Sequence, residues 1–184
     1  MSLSCGWKQI TDNKVVHIMT ITRYINTLAY TYDKAHAISH YRIGESGYRN
    51  KGELLESIAK YHRGIYAEVN PNIAWNAGSD IESESASVKS SGASLGRGIG
   101  GYAATADEKI EAYFKNVSST TFIWIHMNED TQEVIEYHMN RAEFKVFVSK
   151  FTRVCNSSNH KELAIRFRKH TKKMEAWFES MVTA

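Results

Sequence analysis

The segment from Asp80 to Lys89 contains the residue types that hydrolytic chemistry uses. Acidic side chains at Asp80, Glu82 and Glu84 lead into a short polar turn, and a single lysine, Lys89, follows nine residues after Asp80. Glycine- and serine-rich sequence lies on both sides of the segment. This pattern predicts a small hairpin that holds Asp80 and Lys89 close together on adjacent arms.

Carboxylates and a lysine in this arrangement indicate a class of reaction. A carboxylate cluster can hold a hard divalent cation through oxygen ligands. A neighbouring lysine can stabilise negative charge or orient an attacking water. The combination suits the hydrolysis of a phosphodiester bond.

The size and composition of the chain favour one globular domain over residues 1–184. Its hydrophobic content of 42% and charged content of 23% are ordinary for a soluble globular protein, and 184 residues can bury a sizeable core. No apolar run reaches the roughly 20 residues of a membrane span, and no secretory signal is evident, so we expect a cytoplasmic protein. The two distant cysteines, Cys5 and Cys155, indicate neither a disulfide framework nor a zinc site.

The charge distribution permits a nucleic-acid partner without requiring one. The net charge is +3 and the isoelectric point about 8.8. Basic residues crowd near the C-terminus, at Arg166, Arg168, Lys169, His170, Lys172 and Lys173. They form either a solvated helix face or a set of phosphate contacts.

Hydrophobic periodicity predicts an α/β (α+β) domain with a mixed central β-sheet flanked by helices. The predicted helices are 22–41, 50–64, 105–117, 141–154 and 161–181, with Thr105 or Asp107 as the cap of the third. The predicted strands outside the hairpin are 66–70, 73–76, 120–127 and 133–139. A glycine-rich loop follows the hairpin at 90–101 and contains the lone Arg97. It is too long for a simple connector, and it lacks the Gly-Lys-Ser/Thr of a P-loop.

This order of elements, together with Asp80 and Lys89, resembles the PD-(D/E)XK, or restriction-endonuclease-like, nuclease superfamily. The resemblance covers about 50–127. Asp80 matches the aspartate of the motif and Lys89 its lysine. Glu56, with Glu53 as the alternative, matches the glutamate of the first helix in many members.

The resemblance implies a nuclease-like core at about 50–140, with extra N-terminal (22–41) and C-terminal (141–181) helices. It implies that Asp80 and Glu56 hold Mg²⁺ or Mn²⁺, with the carbonyl of Val88 as a further ligand. Lys89 would then orient or activate the attacking water, or contact the phosphate.

One position departs from the family pattern. An acid is expected two residues before the lysine, and Ser87 stands there. Glu82, Glu84 or Glu56 would have to replace it. In a regular strand Ser87 and Lys89 share a face and Glu84 has the opposite parity, unless a turn at 82–85 resets the alternation. The alternative is an inactive site.

The implied function is a metal-dependent endonuclease acting on DNA, of the restriction or mobile-element kind. Double-stranded DNA is the expected partner, and a homodimer is expected on a palindromic site. The residues expected to contact nucleic acid are Arg97, Ser90, Ser91, Lys51, Lys172 and Lys173.

Two other functions fit the same residues. One is a nucleic-acid-binding protein with a nuclease-like fold and an inactive site, and the other is a small protein-interaction domain unrelated to DNA. Each site residue also has an ordinary structural interpretation. Asp80 can be a turn residue, Glu56 can pair with Lys60 one helical turn away, and Lys89 can protect a strand edge.

Overall fold

The computed structural model describes residues 19–27, 51–65, 79–95, 105–156 and 163–182. These residues form six strands and four helices. In chain order they are β1 (Thr20–Ile25), α1 (Lys51–His62), β2 (Ala86–Lys89), α2 (Ala106–Asn116), β3 (Thr121–Met127), β4 (Glu133–Asn140), α3 (Arg141–Phe151), β5 (Thr152–Asn156), β6 (Leu163–Phe167) and α4 (Lys172–Val182).

Four of the strands form a mixed sheet in the order β1-β4-β3-β2. β2 runs parallel to β3, whereas β3 with β4 and β4 with β1 are antiparallel. β5 and β6 form a separate antiparallel pair. The prediction of an α+β chain with helices around a mixed sheet is therefore confirmed.

The sheet separates two hydrophobic cores because alternate residues of β3 point to opposite faces. On one face, Ile123 and Ile125 pack against α1 and β2. On the other face, Phe122 and Trp124 pack against α2, α3, α4 and β6. Aromatic stacking joins these layers, with ring centroids 4.3 Å apart for Phe122 and Phe144.

Two helices begin with reciprocal caps that are readable in the sequence. The Thr105 side chain accepts a hydrogen bond from the Glu108 backbone, and the Glu108 side chain accepts one from the Thr105 backbone. Asn140 and Glu143 make the same pair of bonds at the start of α3. These side chains satisfy backbone donors that a helix start leaves free. Of the two predicted caps for α2, Thr105 and Asp107, Thr105 is the one observed.

Two predicted helices are wrong where the structure describes them. The first residues of the helix predicted at 22–41 belong to β1 instead, and residues 28–41 lie outside the described residues. The long helix predicted at 161–181 is instead β6, a turn and α4, while the helix predicted at 141–154 ends at Phe151 and continues as β5. In each case strand pairing outweighs a helical spacing of apolar residues: β1 pairs with the distant β4, and β5 pairs with β6 in a hairpin. The strands predicted at 66–70 and 73–76 lie outside the described residues.

A buried ion pair joins α1 to the sheet. Glu136 of β4 is 0% exposed on the face that α1 covers. Arg63, just after α1, donates to both carboxylate oxygens, with Nη1–Oε1 at 3.0 Å and Nη2–Oε2 at 2.7 Å. The Tyr24 hydroxyl of β1 donates to Oε1 at 2.6 Å, and His138 Nε2 lies 3.0 Å from Oε2.

The pKa of the Glu136 carboxyl reflects this network. Burial alone would raise that pKa, but His138, Arg63 and Tyr24 outweigh the effect of burial and hold the pKa at about 2. Burial and the Glu136 charge together raise the pKa of Tyr24 above its ordinary value. The network therefore keeps a carboxylate, a guanidinium and a neutral phenol in one buried cluster.

Replacing Glu136 by glutamine should lower the free energy of unfolding by roughly 3 kcal/mol or more, because the buried guanidinium of Arg63 loses its counter-charge. Urea denaturation measures the change. Glu133→Gln is the matched control, since Glu133 lies on the same strand but its side chain is 42% exposed and pairs with the exposed Arg23. That surface pair should contribute less than about 1 kcal/mol. Equal effects of the two variants would contradict a stabilising role of the buried pair.

The same group predicts how stability depends on pH. The folded pKa of about 2 lies below the ordinary value of 4.5, so the unfolded chain takes up the proton first as the pH falls. Glu136 therefore contributes its full stabilisation of the folded state above about pH 4.5. About 3 kcal/mol of that stabilisation is lost as the pH falls from about 4.5 to about 2. Urea denaturation across that window should show a weaker pH dependence for Glu136→Gln than for wild type. Parallel curves would contradict this assignment.

Candidate functional site

The predicted hairpin is present and is closed by one pair of residues. Ile81 and Ala86 exchange both backbone hydrogen bonds, each 3.0 Å long. A 3-10 turn at Glu82–Glu84 and Ser85 in the left-handed conformation (φ 47°) connect them. Both Ile81 and Ala86 are buried against α1. This register places Asp80 opposite Ser87 on the other side of the hairpin.

Asp80 lies where the two arms of the hairpin separate. Its Oδ2 accepts hydrogen bonds from the backbone N–H of Val88 at 2.6 Å and from Ser87 Oγ at 3.2 Å. The carboxylate thus takes the place of the backbone acceptor that a continued strand pair would supply. Asp80 therefore has a structural role in the hairpin in addition to its candidate chemical role.

Lys89 points back over the same arm of the hairpin. Its Nζ donates to Ser87 Oγ at 2.8 Å and to the Val88 carbonyl at 3.0 Å, and it lies 3.6 Å from Asp80 Oδ2. Ser87 is only 5% exposed. The predicted proximity of Asp80 and Lys89 is thus observed, and Ser87 lies between them.

Glu56 approaches this cluster from α1. Burial raises the pKa of its carboxyl, and the charge of Asp80 raises it further, while Lys60 and Lys89 act in the opposite direction. Lys60 Nζ lies 2.5 Å from Glu56 Oε1, as expected for a pair one helical turn apart. Glu56 therefore belongs to the same electrostatic group as Asp80 and Lys89. The alternative glutamate, Glu53, lies in α1, and its side chain is outside the described part of the chain.

The other two candidate acids lie apart from this group. Glu82 is exposed in the 3-10 turn. Glu84 Oε1 accepts a hydrogen bond from Arg63 Nε at 2.5 Å, which ties the turn to the Glu136 network. Of the three glutamates considered for the missing acid, Glu56 is the one whose pKa is raised by the charge of Asp80. A catalytic role for Glu82 or Glu84 stays a prediction.

Tyr113 of α2 lies near Ser87 and Asp80 and was not among the predicted site residues. Burial raises the pKa of its hydroxyl to about 12, Ser87 lowers it and Asp80 raises it. Within the described residues the hydroxyl is buried and has no hydrogen-bond partner of good geometry. Tyr113 shares the apolar stripe of α2, so its position in the sequence carries no signal of a polar role.

The residues expected to contact nucleic acid fall in several places. Ser90 is 3% exposed, and the Ser91 hydroxyl accepts a hydrogen bond from the His170 backbone. Lys172 and Lys173 are exposed in the first turn of α4. Lys51 begins α1, but its side chain is outside the described part, as is Arg97. Contact of these residues with nucleic acid stays a prediction.

The described residues contain no group of three or more His, Cys, Asp or Glu side chains placed to hold a metal ion. Asp80 and Glu56 provide two carboxylates, and the carbonyl of Val88 provides a further oxygen beside them. Mg²⁺ commonly uses one or two carboxylates and fills its other positions with water and substrate phosphates. This donor set therefore fits Mg²⁺ or Mn²⁺ with a phosphate substrate.

Comparison of the chain with family models, with curated proteins and with solved structures gave no match. Among the described helices, none has the length and apolar character needed to cross a bilayer. Function is therefore argued from the geometry of the site.

The two contacts of Asp80 predict different effects for two substitutions. Asp80→Ala should lower the free energy of unfolding by about 1–3 kcal/mol, because the Val88 N–H loses its acceptor. Asp80→Asn keeps a side-chain oxygen for that bond and should be nearer to wild type. Urea denaturation distinguishes the two, and Glu82→Ala in the exposed turn is the control. Equal stability of both Asp80 variants would show that the Val88 bond contributes little.

Proposed function

We propose that this protein is a Mg²⁺- or Mn²⁺-dependent nuclease that hydrolyses phosphodiester bonds of DNA. The observation that carries the proposal is the cluster of Asp80, Lys89 and Glu56. A hairpin holds the first two side chains 3.6 Å apart, and the third is electrostatically coupled to both. Duplex DNA as substrate, a homodimer and a cytoplasmic location belong to the same proposal.

Asp80 and Glu56, with the Val88 carbonyl, are the groups that would hold the cation. When bound, such a cation lowers the pKa of a coordinated water and stabilises negative charge that develops on the phosphate. Burial and the charge of Asp80 both disfavour the charged form of Glu56. A bound cation would reverse that balance, which supports this pair of ligands.

Lys89 would stabilise the phosphate or orient the water. An ammonium group has three N–H donors. Two of them go to Ser87 Oγ and the Val88 carbonyl, which aim the side chain along the hairpin. The third would reach a phosphate oxygen or a water molecule beside Asp80 Oδ2, which lies 3.6 Å from Nζ. Because the lysine is fixed by its neighbours, little side-chain entropy is lost when it makes that contact.

Ser87 favours a second candidate, a nucleic-acid-binding protein with an inactive site. A neutral hydroxyl replaces the acid expected at this position, and it bonds to both Asp80 and Lys89. The two candidates share a DNA partner and differ in metal-dependent cleavage. The interaction domain unrelated to DNA differs from both, since it predicts no DNA binding.

Cleavage should require Asp80 and Lys89. Incubating supercoiled plasmid with Mg²⁺ or Mn²⁺ should produce nicked or linear product with wild type, and EDTA should prevent it. Asp80→Asn and Lys89→Gln should each lower the rate at least about a hundredfold, because they remove a metal ligand and a positioned cation. Lys115→Gln, at an exposed lysine on α2, should cut like wild type.

Thermal unfolding with added Mn²⁺ completes this test. Wild type should melt at a higher temperature in the presence of the metal, because the ion binds the folded site only. Asp80→Asn should show no such rise, because it lacks one of the two carboxylate ligands. Metal stabilisation without cleavage of DNA or RNA would favour the inactive binding protein. Cleavage by both site variants at the wild-type rate would contradict the proposed site.

A further inference from the structure

The β5–β6 hairpin brings two arginines into direct opposition. Arg153 and Arg166 are cross-strand partners in the antiparallel register. Both side chains are exposed. Ile165 and Phe167, on either side of Arg166, are buried in the core, so Arg166 points away from it. The hairpin therefore presents two guanidinium groups on one outward face.

This pairing is unfavourable unless something neutralises it. Like charges directly opposite each other on neighbouring strands are destabilising. Within the described residues, no carboxylate lies in ion-pair distance of Arg153 or Arg166. The two acids of α4 contact other residues: Glu175 lies 2.8 Å from His170, and Glu179 lies 4.0 Å from Arg23. Among the residues that the structure describes, the charge of these two arginines is therefore not balanced by a carboxylate.

Further exposed cations follow Arg166 along the chain, from the end of β6 to the first turn of α4. The set comprises Arg153, Arg166, Arg168, Lys169, Lys172 and Lys173, and we call it the basic face. Arg168 Nε donates to the Thr152 carbonyl, which fixes this arginine against β5. The predicted helix at 161–181 would have separated Arg153 from Arg166, so their juxtaposition appears only in the folded hairpin.

The basic face is connected directly to the candidate site. The segment that follows Lys89 runs along β6, with Gly92 N bonded to the Phe167 carbonyl at 3.1 Å and Leu95 N to the Ile165 carbonyl at 2.8 Å. Ser94 lies opposite Arg166 in this pairing. Five residues of extended chain span at most about 18 Å. That length corresponds to roughly five nucleotides along one DNA strand.

We propose that the basic face is a docking surface for the phosphodiester backbone of DNA beside the cleavage site. The inference takes DNA as the ligand from the proposed function. Paired guanidinium groups bind phosphate oxygens through two parallel hydrogen bonds, and the phosphates supply the missing negative charge. Such contacts position the duplex without reading its sequence.

The test is DNA binding without cleavage. A fluorescent duplex of about 30 base pairs, longer than the span estimated above, is titrated in EDTA at several salt concentrations and followed by anisotropy. Compared with wild type, R153Q/R166Q should bind roughly ten- to a hundredfold more weakly at about 0.1 M salt, and the slope of log affinity against log salt should fall by about 2. R153K/R166K keeps both charges but loses the paired hydrogen bonds, so it should keep the wild-type salt slope and bind with an affinity between those of wild type and R153Q/R166Q.

The matched control is K115Q/K145Q, which removes the same two charges from exposed lysines of α2 and α3. It should leave the salt slope nearly unchanged, because Lys145 already pairs with Glu111 at 2.7 Å. R153Q/R166Q should melt at the wild-type temperature or above it, since it removes a like-charge pair. That result separates lost binding from lost folding.

The outcomes for this surface and for the nuclease are distinguishable. Unchanged affinity and salt slope in R153Q/R166Q would overturn the docking surface, even if wild type cleaves DNA with Mg²⁺. Weaker binding by that variant would support the surface, even if wild type cleaves nothing. Wild-type protein that ignores the duplex but binds vesicles containing phosphatidylserine would overturn the surface in favour of a membrane.

Discussion

The ion pair between Glu136 and Arg63 determines how α1 lies against the sheet. Glu136 is fully buried, and Arg63 contacts both of its oxygens. A buried carboxylate without that partner would carry a large desolvation cost, so any other placement of the end of α1 is unfavourable. Arg63 also holds Glu84 in the turn of the hairpin. One guanidinium therefore positions both elements that carry the candidate site, since α1 supplies Glu56 and the hairpin supplies Asp80 and Lys89.

Two charged groups of opposite sign in the described part of the chain bear on the substrate. Near α1, burial and Asp80 disfavour the carboxylate of Glu56. On the β5–β6 hairpin, Arg153 and Arg166 face each other. A cation would neutralise the first and a polyanion the second, and the β6-paired segment after Lys89 joins the two regions. The proposed substrate, a phosphodiester backbone bound together with a divalent ion, would account for both features.

Local signals in the sequence were sufficient for the parts of the fold that depend on neighbouring residues. Thr105 with Glu108 marks the start of α2, and β-branched and aromatic residues mark β3. β1 was missed because it depends on β4, a strand distant in the chain, and β5 and β6 were missed because each is extended only when paired with the other. Leu163 and Phe167 fit a helical spacing as well as a strand, and only pairing with β5 decides between them. The hairpin brought Asp80 and Lys89 together as predicted, but the approach of Tyr113 to Ser87 is a tertiary contact with no local signal.

Serine at position 87 is consistent with the geometry around it. Its hydroxyl donates to Asp80 and accepts from Lys89, a pair of bonds that needs both a donor and an acceptor. A carboxylate at this buried position could accept from Lys89, but it would lie against Asp80 with no proton between them. Two carboxylates so close require a bound cation or a protonated partner. Serine instead lets the hairpin form without a metal ion, and it leaves Asp80 and Glu56 as the acids that would bind one. With serine at position 87, the hairpin is satisfied by hydrogen bonds alone, and any metal affinity would depend on Asp80 and Glu56.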